Sequence, residues 1–511
     1  MKLFSMRANI LVNMIGMALI MILTFFATPY YLKYLGPEAF GLIGFFYLFS
    51  MCISVFDFGV SPFLQREIAK STDGNSLYQN LNNVIQIVTI YFILILLFIN
   101  ILSLPLSGFV ANSWLTSDAW DLLSLDEVKK SIRLIFLTSS LLMVINLFKC
   151  GLTGYQLHYW LNMLLTLTSI LRYVGSIVLI SSFNGSIIDF FIYQVLIALI
   201  EVIALSIKFY SQVPNNLLSF GNLSIGLFKK IIIETSKIST ISILTIVTYQ
   251  LDKIFLSKAL PLQEYGYFSL IVMICSGLIV ISVPIKRAIQ PRISILFLSK
   301  NINDSIELYR KASHLITIII GATVITICMY SVQIILFWTN DLTASLWVAN
   351  RLYLFVIGAG LLAIQAILLA LQEARGDLTL QIKLNFIFLM IQIPLMLFCV
   401  LFFGITFKAP VIGIGLAWLG VRVTSFVVST FLIHKTYDVN LNRIWFLKDF
   451  LPVILFQTLV AFLIYPVMSN EVISSLNNPI IVIIFAGFIL VSSGIFSSHY
   501  FHRYVKKHIK R

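Results

Sequence analysis

Charge is what this 511-residue chain most lacks: Asp, Glu, Lys and Arg make up 11% of it, against roughly 25% in ordinary soluble domains. So few charges cannot coat a soluble surface of this size, which excludes a water-soluble enzyme or binding module. Cysteine is also sparse. The five residues Cys52, Cys150, Cys275, Cys328 and Cys399 are scattered, with no CxxC and no Cys/His cluster, so neither a disulfide framework nor a metal site is indicated. No GxxxxGK[ST] loop is present to cradle ATP phosphates, and neither HExxH nor Gly-x-Ser-x-Gly occurs. No cofactor or metal is therefore expected. The six histidines, His158, His314, His434, His499, His502 and His508, read as membrane-edge or tail residues rather than ligands. The net charge of +14 never gathers into a basic domain, which argues against a nucleic-acid partner.

Long apolar runs are what the chain has instead. Hydrophobic residues account for 59% of it and the mean hydropathy is +0.98. A helix needs about 20 such residues to cross the hydrocarbon core. Runs of this kind lie near 8–31, 41–64, 82–110, 131–152, 160–182, 189–209, 236–259, 266–289, 313–338, 347–371, 380–404, 411–434, 450–468 and 478–501. The first is too long for a signal-peptide core and meets no small-residue cleavage site, so it reads as a retained span. The longest gaps, 111–130 and 290–312, are too short to hold a soluble domain. The fold class expected is an all-α polytopic membrane protein of about 14 transmembrane helices.

Basic residues set the orientation. Lys229, Lys230, Lys237, Lys286, Arg287, Arg292, Lys300, Arg310, Lys311 and the tail RYVKKHIKR fall on the side that holds both termini, which the positive-inside rule assigns to the cytoplasm. An internal echo adds organisation. YYLKYLGPEAFG around Tyr31 and FLSKALPLQEYG around Phe255 align at an offset of about 225 residues, pairing Lys33 with Lys258, Leu35 with Leu260, Phe40 with Tyr265 and Gly41 with Gly266. Two six-helix lobes, 1–232 and 233–448, followed by two additional helices and a basic tail, 449–511, are the simplest account. A translocation path is then expected between the lobes.

Ionisable residues at membrane depth need a partner, a wet cavity or a way to snorkel. Arg172 and Glu201 lie at similar distances before and after the turn near 184–187, so an ion pair between neighbouring helices and a cavity role for Arg172 are both open. Asp252 and Lys253 are adjacent and project about 100° apart, so both cannot face lipid. Asp252 is a candidate ion-coupling carboxylate, with pairing to Lys253 or another helix as the alternative. Arg422 lies mid-span at the depth of Gln392, a possible hydrogen-bond partner. Asp57, in FDFG, is followed by Arg66 and Glu67, where snorkelling and local pairing compete with function. Deep basic groups would suit an anionic cargo such as a diphosphate, with Arg favoured for its bidentate geometry.

Asn9, Asn13, the segment TPYYLKYLGPEAFGLIGFFYLF and the segment FDFGVSPFLQREIAK resemble the opening of Wzx-type polysaccharide flippases, members of the multidrug/oligosaccharidyl-lipid/polysaccharide exporter superfamily. LDKIFLSKALPLQEYGYFSL is similar to the start of their second lobe. The residue-level match spans about the first 75 positions and the region near 250–270, and the architecture matches throughout. The resemblance implies a bundle that alternates between inward-open and outward-open states. Its cargo would be undecaprenyl-diphosphate-linked oligosaccharide repeat units, carried across the bacterial inner membrane for O-antigen, capsule or exopolysaccharide assembly. It also implies a cationic cavity, for which depth and charge nominate Arg66, Arg172, Lys253 and Arg422, with Asp57 and Asp252 as ion-coupling candidates. Expected partners are the lipid-linked oligosaccharide, membrane lipids and other assembly proteins, namely a polymerase and a chain-length regulator, around a monomeric transporter. The alternatives are a lipid II flippase, a drug/cation antiporter, which would usually stop at twelve helices with a more acidic cavity, and a membrane polysaccharide polymerase, which would need a large outer loop.

Overall fold

The computed structural model describes residues 6–72, 78–115, 123–213, 225–376, 378–464 and 479–497, and all regular structure among them is helical. The basic tail with His499, His502 and His508 lies outside the described residues. Two compact units form, Met1–Gly266 and Tyr267–Arg511.

Eleven described segments are long and apolar enough to cross a membrane. One of them is bent. Within α1 (Met6–Ile53), Gly36 adopts φ 85° and ψ 167°, and Pro37 follows it, so the helix consists of two arms. The positive φ favours a residue without a Cβ, and proline supplies no amide to continue the ladder. Counting the arms separately and adding α8 (Ile225–Ala259) and α17 (Pro479–Ser497) brings the helical passes among the described residues to fourteen. The polytopic helical fold expected from hydropathy is thus observed. Outward faces carry large apolar side chains such as Phe183, Ile405 and Phe462, each at least three-quarters exposed, which only a lipid solvent accommodates.

In the first unit, α2 (Val60–Thr72), α3 (Tyr78–Phe109) and α4 (Leu125–Gly154) follow α1. Next come α5 (His158–Ile170) and α6 (Ser176–Phe183), joined by a π-helical stretch Leu171–Gly175, then α7 (Ile187–Tyr210) and α8. Helix α4 is the centre, packed against α1, α2, α3 and α7. Its start is written by Ser124, whose hydroxyl accepts from the Glu127 amide while the Glu127 carboxylate accepts from the Ser124 amide. Ser186 and Asp189 repeat that capping box at α7. The expected run 41–64 is interrupted. Phe58 and Gly59 both take positive φ, and the Asp57 carboxylate accepts from the Ser61 amide, so one helix ends and α2 begins.

The second unit begins within α9 (Leu262–Leu298). It continues through α10 (Ile302–Met329), α11 (Ser331–Thr339), α12 (Leu342–Arg375), α13 (Thr379–Phe407) and α14 (Pro410–Lys435), then α15 (Leu441–Ile444), a π-helical stretch Trp445–Phe450, α16 (Leu451–Ile464) and α17. The expected gap at 290–312 is largely helical: α9 persists to Leu298 and α10 starts at Ile302. The additional helices are fastened to α10 and α14 by buried polar groups. Arg310 grips the fully buried Asp449 with two hydrogen bonds, 2.6 Å and 3.1 Å, and the His314 ring bonds the Asp449 carbonyl at 2.8 Å. Trp445 donates to Ser313 at 2.8 Å, and Tyr309 bonds His434 at 2.8 Å. His314 and His434 are therefore interior residues. Further along, the Gln457 amide donates to the carbonyls of Ile318 and Leu490, joining α16 to α10 and α17.

The echoing segments meet each other inside the first unit. A Cβ on Gly41 would collide with the Leu262 carbonyl, and one on Gly266 would lie 2.5 Å from the Pro37 carbonyl. Subtracting the offset of about 225 places Leu262 on Pro37 and Gly266 on Gly41, so the two contacts are reciprocal. Backbone cannot retreat as a side chain can. Gly41→Ala and Gly266→Ala are each expected to destabilise the protein by about 1–3 kcal/mol, whereas Gly108→Ala, where a Cβ meets nothing within 4 Å, is expected to be neutral or stabilising. Thermal melting of the purified protein in detergent checks this ranking. In the second unit, Asp449→Leu alone should cost about 3–5 kcal/mol by leaving Arg310 without its carboxylate, and Arg310→Met combined with it should restore most of that loss.

Candidate functional site

Three helical segments of the first unit converge on one buried carboxylate. Glu201, on α7 and 4% exposed, accepts from the Arg172 guanidinium at 2.9 Å and faces the Lys149 ammonium of α4 at 3.5 Å. A second Arg172 nitrogen donates to the side-chain oxygen of buried Gln194 at 3.3 Å. Arg172 owes its position to the π-helical stretch Leu171–Gly175, in which one extra residue per turn re-aims the side chain and frees a carbonyl. That carbonyl is recovered: Tyr193 donates to Leu171 O at 2.8 Å, and its ring fits because residue 175 is glycine. Ser176, the next residue, bonds the Tyr31 hydroxyl of α1 at 2.6 Å. The cluster holds two cations and one carboxylate, a net charge of +1 at membrane depth. Such a site can pair internally and still attract an anion.

The other nominated residues are arranged differently. Arg66 is exposed on α2, donates to Glu234 of α8 at 2.7 Å, lies 3.4 Å from Glu67 and sits over the Phe63 ring. Asp252 is buried and its carboxylate is 3.3 Å from the Lys253 ammonium, which also donates to the Tyr249 carbonyl at 2.6 Å. These two neighbours thus face each other, as the pairing alternative requires, and the ion-coupling role of Asp252 belongs to the proposed function. Asp57 accepts from the Ser61 amide and hydroxyl at 2.9 Å and from Asn146 at 3.3 Å, so it caps α2 and ties it to α4. In the second unit, Arg422 is buried on α14 with its guanidinium over the Trp418 ring at 5.3 Å.

Within the first unit, then, Arg66, Arg172 and Lys253 each face their own carboxylate rather than one shared locus. Lys149 escapes a reading based on depth in adjacent helices, because α4 and α7 are not neighbours in sequence. The signal that could have found it is the single acidic residue of α7's apolar stretch, which must satisfy every cation that reaches it. Among the described residues no group of three or more His, Cys, Asp or Glu side chains could hold a metal ion.

Comparison with known proteins bears on this arrangement. Residues 6–297 match the family model described as polysaccharide biosynthesis protein. No curated protein sequence matches the chain. Among solved structures, the chain is similar to lipid II flippase MurJ in an inward closed conformation, with a TM-score of 0.71 at 17% identity over 98% of this chain and 100% of that one. It is also similar to an inward-facing multidrug resistance MATE family transporter of the MOP superfamily, with a TM-score of 0.65 at 15% identity over 81% of this chain and 95% of that one. The MATE multidrug transporter DinF-BH gives a TM-score of 0.56 at 15% identity, over 85% of this chain and 96% of that one. At these identities the likeness establishes the fold.

The charge arrangement fixes an order of mutational effects. Glu201→Met strands both Arg172 and Lys149 and should cost about 3–5 kcal/mol, whereas Arg172→Met leaves Glu201 its lysine and should cost less. Combining the two should be less harmful than the sum of the single changes, as measured by melting of the purified variants.

Proposed function

This chain belongs to the polysaccharide biosynthesis protein family, and we propose that it flips undecaprenyl-diphosphate-linked oligosaccharide repeat units from the cytoplasmic to the outer face of the bacterial inner membrane. The observation that carries the reading is the surplus positive charge that Lys149 and Arg172 place around buried Glu201 in a helical membrane fold. A diphosphate offers the anionic oxygens that such a cluster lacks, and arginine matches their geometry. The assembly of surface polysaccharide would be served by the family, and the full-length likeness to a flippase fold supports a transporter rather than a polymerase. On this reading both termini are cytoplasmic, Arg66, Lys253 and Arg422 supplement the cluster, and Asp57 or Asp252 serves ion coupling. Binding must differ between states for transport to have direction, so the driving gradient acts through whichever carboxylate changes partners.

A second reading, lipid II as the cargo, is favoured by the coverage of all of the lipid II flippase chain. A drug-export role is less well supported, since the MATE-family alignments leave about a fifth of this chain unmatched.

Deleting the gene and identifying the undecaprenyl-linked lipid that accumulates separates these readings. A complete oligosaccharide repeat unit on the cytoplasmic face, with loss of surface polymer, is the expected outcome. Accumulated lipid II would transfer the assignment to peptidoglycan, and no change in any lipid-linked sugar would end the flippase reading. Arg172→Gln, expressed at wild-type level, should fail to restore the polymer while Arg172→Lys restores part of it. Full restoration by Arg172→Gln would remove that residue from the site.

A further inference from the structure

A cavity of about 430 Å³ lies in the first unit between the start of α2, α3 and the first half of α8. Its walls are mainly apolar, among them Phe58, Val60, Val88 and Ile231, and α8 adds Ser236 and Ser239. Three polar side chains of that lining are turned to the backbone. Ser239 donates to the carbonyls of Phe58 and Thr235, Ser236 to Ile233 O at 2.8 Å, and Tyr91 to Phe56 O at 2.8 Å. These bonds also tie α8 and α3 to the turn at 54–59, so the space is bounded by fastened elements. A water needs two to four polar partners, and a lining whose polar groups are already engaged gives it little hold. The volume falls within the roughly 300–1,000 Å³ of pockets that hold small ligands.

Charge brackets one end of this space. Glu234, beside the lining residue Thr235, holds Arg66, which lies six residues, about 9 Å, along α2 from the lining residue Val60. Lys70, which donates to Glu67 at 2.8 Å, and Lys229 are exposed on the same two helices, so three cations face two carboxylates there. An occupant would therefore have an apolar body and an anionic end.

We infer that this cavity receives the isoprenoid chain of the carrier lipid while its phosphate end lies toward Arg66 and Lys229, a loading subsite separate from the Lys149–Glu201–Arg172 cluster. The inference rests on the flippase reading and adds where the lipid part of the cargo is held. In the proposed orientation the subsite lies in the cytoplasmic leaflet, where loading occurs. The Arg66–Glu234 bridge opens as the phosphate takes the guanidinium, and Phe58, about two-fifths exposed, forms the edge over which the chain enters.

The test uses the full-length protein in nanodiscs with a photoactivatable undecaprenyl diphosphate whose reactive group is on the chain. Cross-links are expected in the peptides spanning 58–91 and 231–243, displaced by unlabelled undecaprenyl diphosphate and not by equimolar phosphatidylglycerol. Ser236→Trp, at an exposed lining position, and Val88→Phe, inside the cavity, should each weaken labelling about tenfold, the effect of excluding roughly two methylene groups. Equal displacement by phosphatidylglycerol would make this a bulk-lipid site and overturn the proposal. Cross-links elsewhere, in a protein that still moves lipid-linked sugar between leaflets, would overturn it while leaving the flippase reading intact. Labelling at the cavity without any such movement would retain the lipid site and count against flipping.

Discussion

At membrane depth the solvent offers no hydrogen bonds, and that constraint organises this protein. Backbone groups answer it by being helical, and ionisable side chains answer it by finding one another. Three buried carboxylates show the result. Glu201 gathers Arg172 and Lys149, Asp252 faces Lys253, and Asp449 is gripped by Arg310. Two of these join helices that are distant in sequence, so the pairs also act as fasteners. A buried pair is weak evidence of net stability, because apolar residues of the same volume often serve as well. What such a pair does supply is a specific arrangement, since a packing that separated the partners would strand a charge in the interior.

The same constraint explains what the amino-acid sequence shows and hides. Spans are legible because each must be apolar over its whole crossing, and the Arg172–Glu201 pair is legible because both residues sit at equal distances from one turn. Asp252 and Lys253 are legible by adjacency. Lys149 and the Arg310–Asp449 clamp are not, because their partners come from helices brought together only by packing. The break at 54–59 is hidden for a different reason: FDFG is apolar enough to continue a span, and it is the capping of α2 by Asp57 with two positive-φ residues that ends it. The rise of α9 and α10 into the expected gap at 290–312 reflects helices that keep their hydrogen bonds beyond the apolar run.

Irregular backbone and charge coincide at three places among the described residues. Asp57 closes the 3-10 turn that ends the second arm of α1, Arg172 is carried by one π-helical stretch and Asp449 by another. A uniform helix places a residue at a rotation fixed by its number. Inserting one residue rotates the remainder of the helix by about 100° and leaves a carbonyl without its amide. That is costly in lipid unless something else donates, as Tyr193 does to Leu171. At Arg172 and Asp449 the irregularity thus aims an ionisable group at its partners, whereas the π-helical stretch Val110–Trp114 carries no ionisable residue.

The first unit carries this further, because its deep cluster remains positive after pairing while its apolar cavity lies beside an exposed ion pair on other helices. An amphiphile with an anionic joint between an apolar chain and a polar head must satisfy two solvents at once. On the proposed function, a loading subsite that takes chain and phosphate together and a deeper cluster that takes the phosphates afterwards would let the cargo be passed on in steps. A partner exchange at the Arg66–Glu234 bridge needs little energy, since exposed pairs contribute about 1 kcal/mol or less. Exchange at Glu201 is harder, because the carboxylate is almost wholly buried and its two cations compete for it. If the proposed function holds, loading at the exposed bridge followed by commitment around buried Glu201 is the order that these two environments favour.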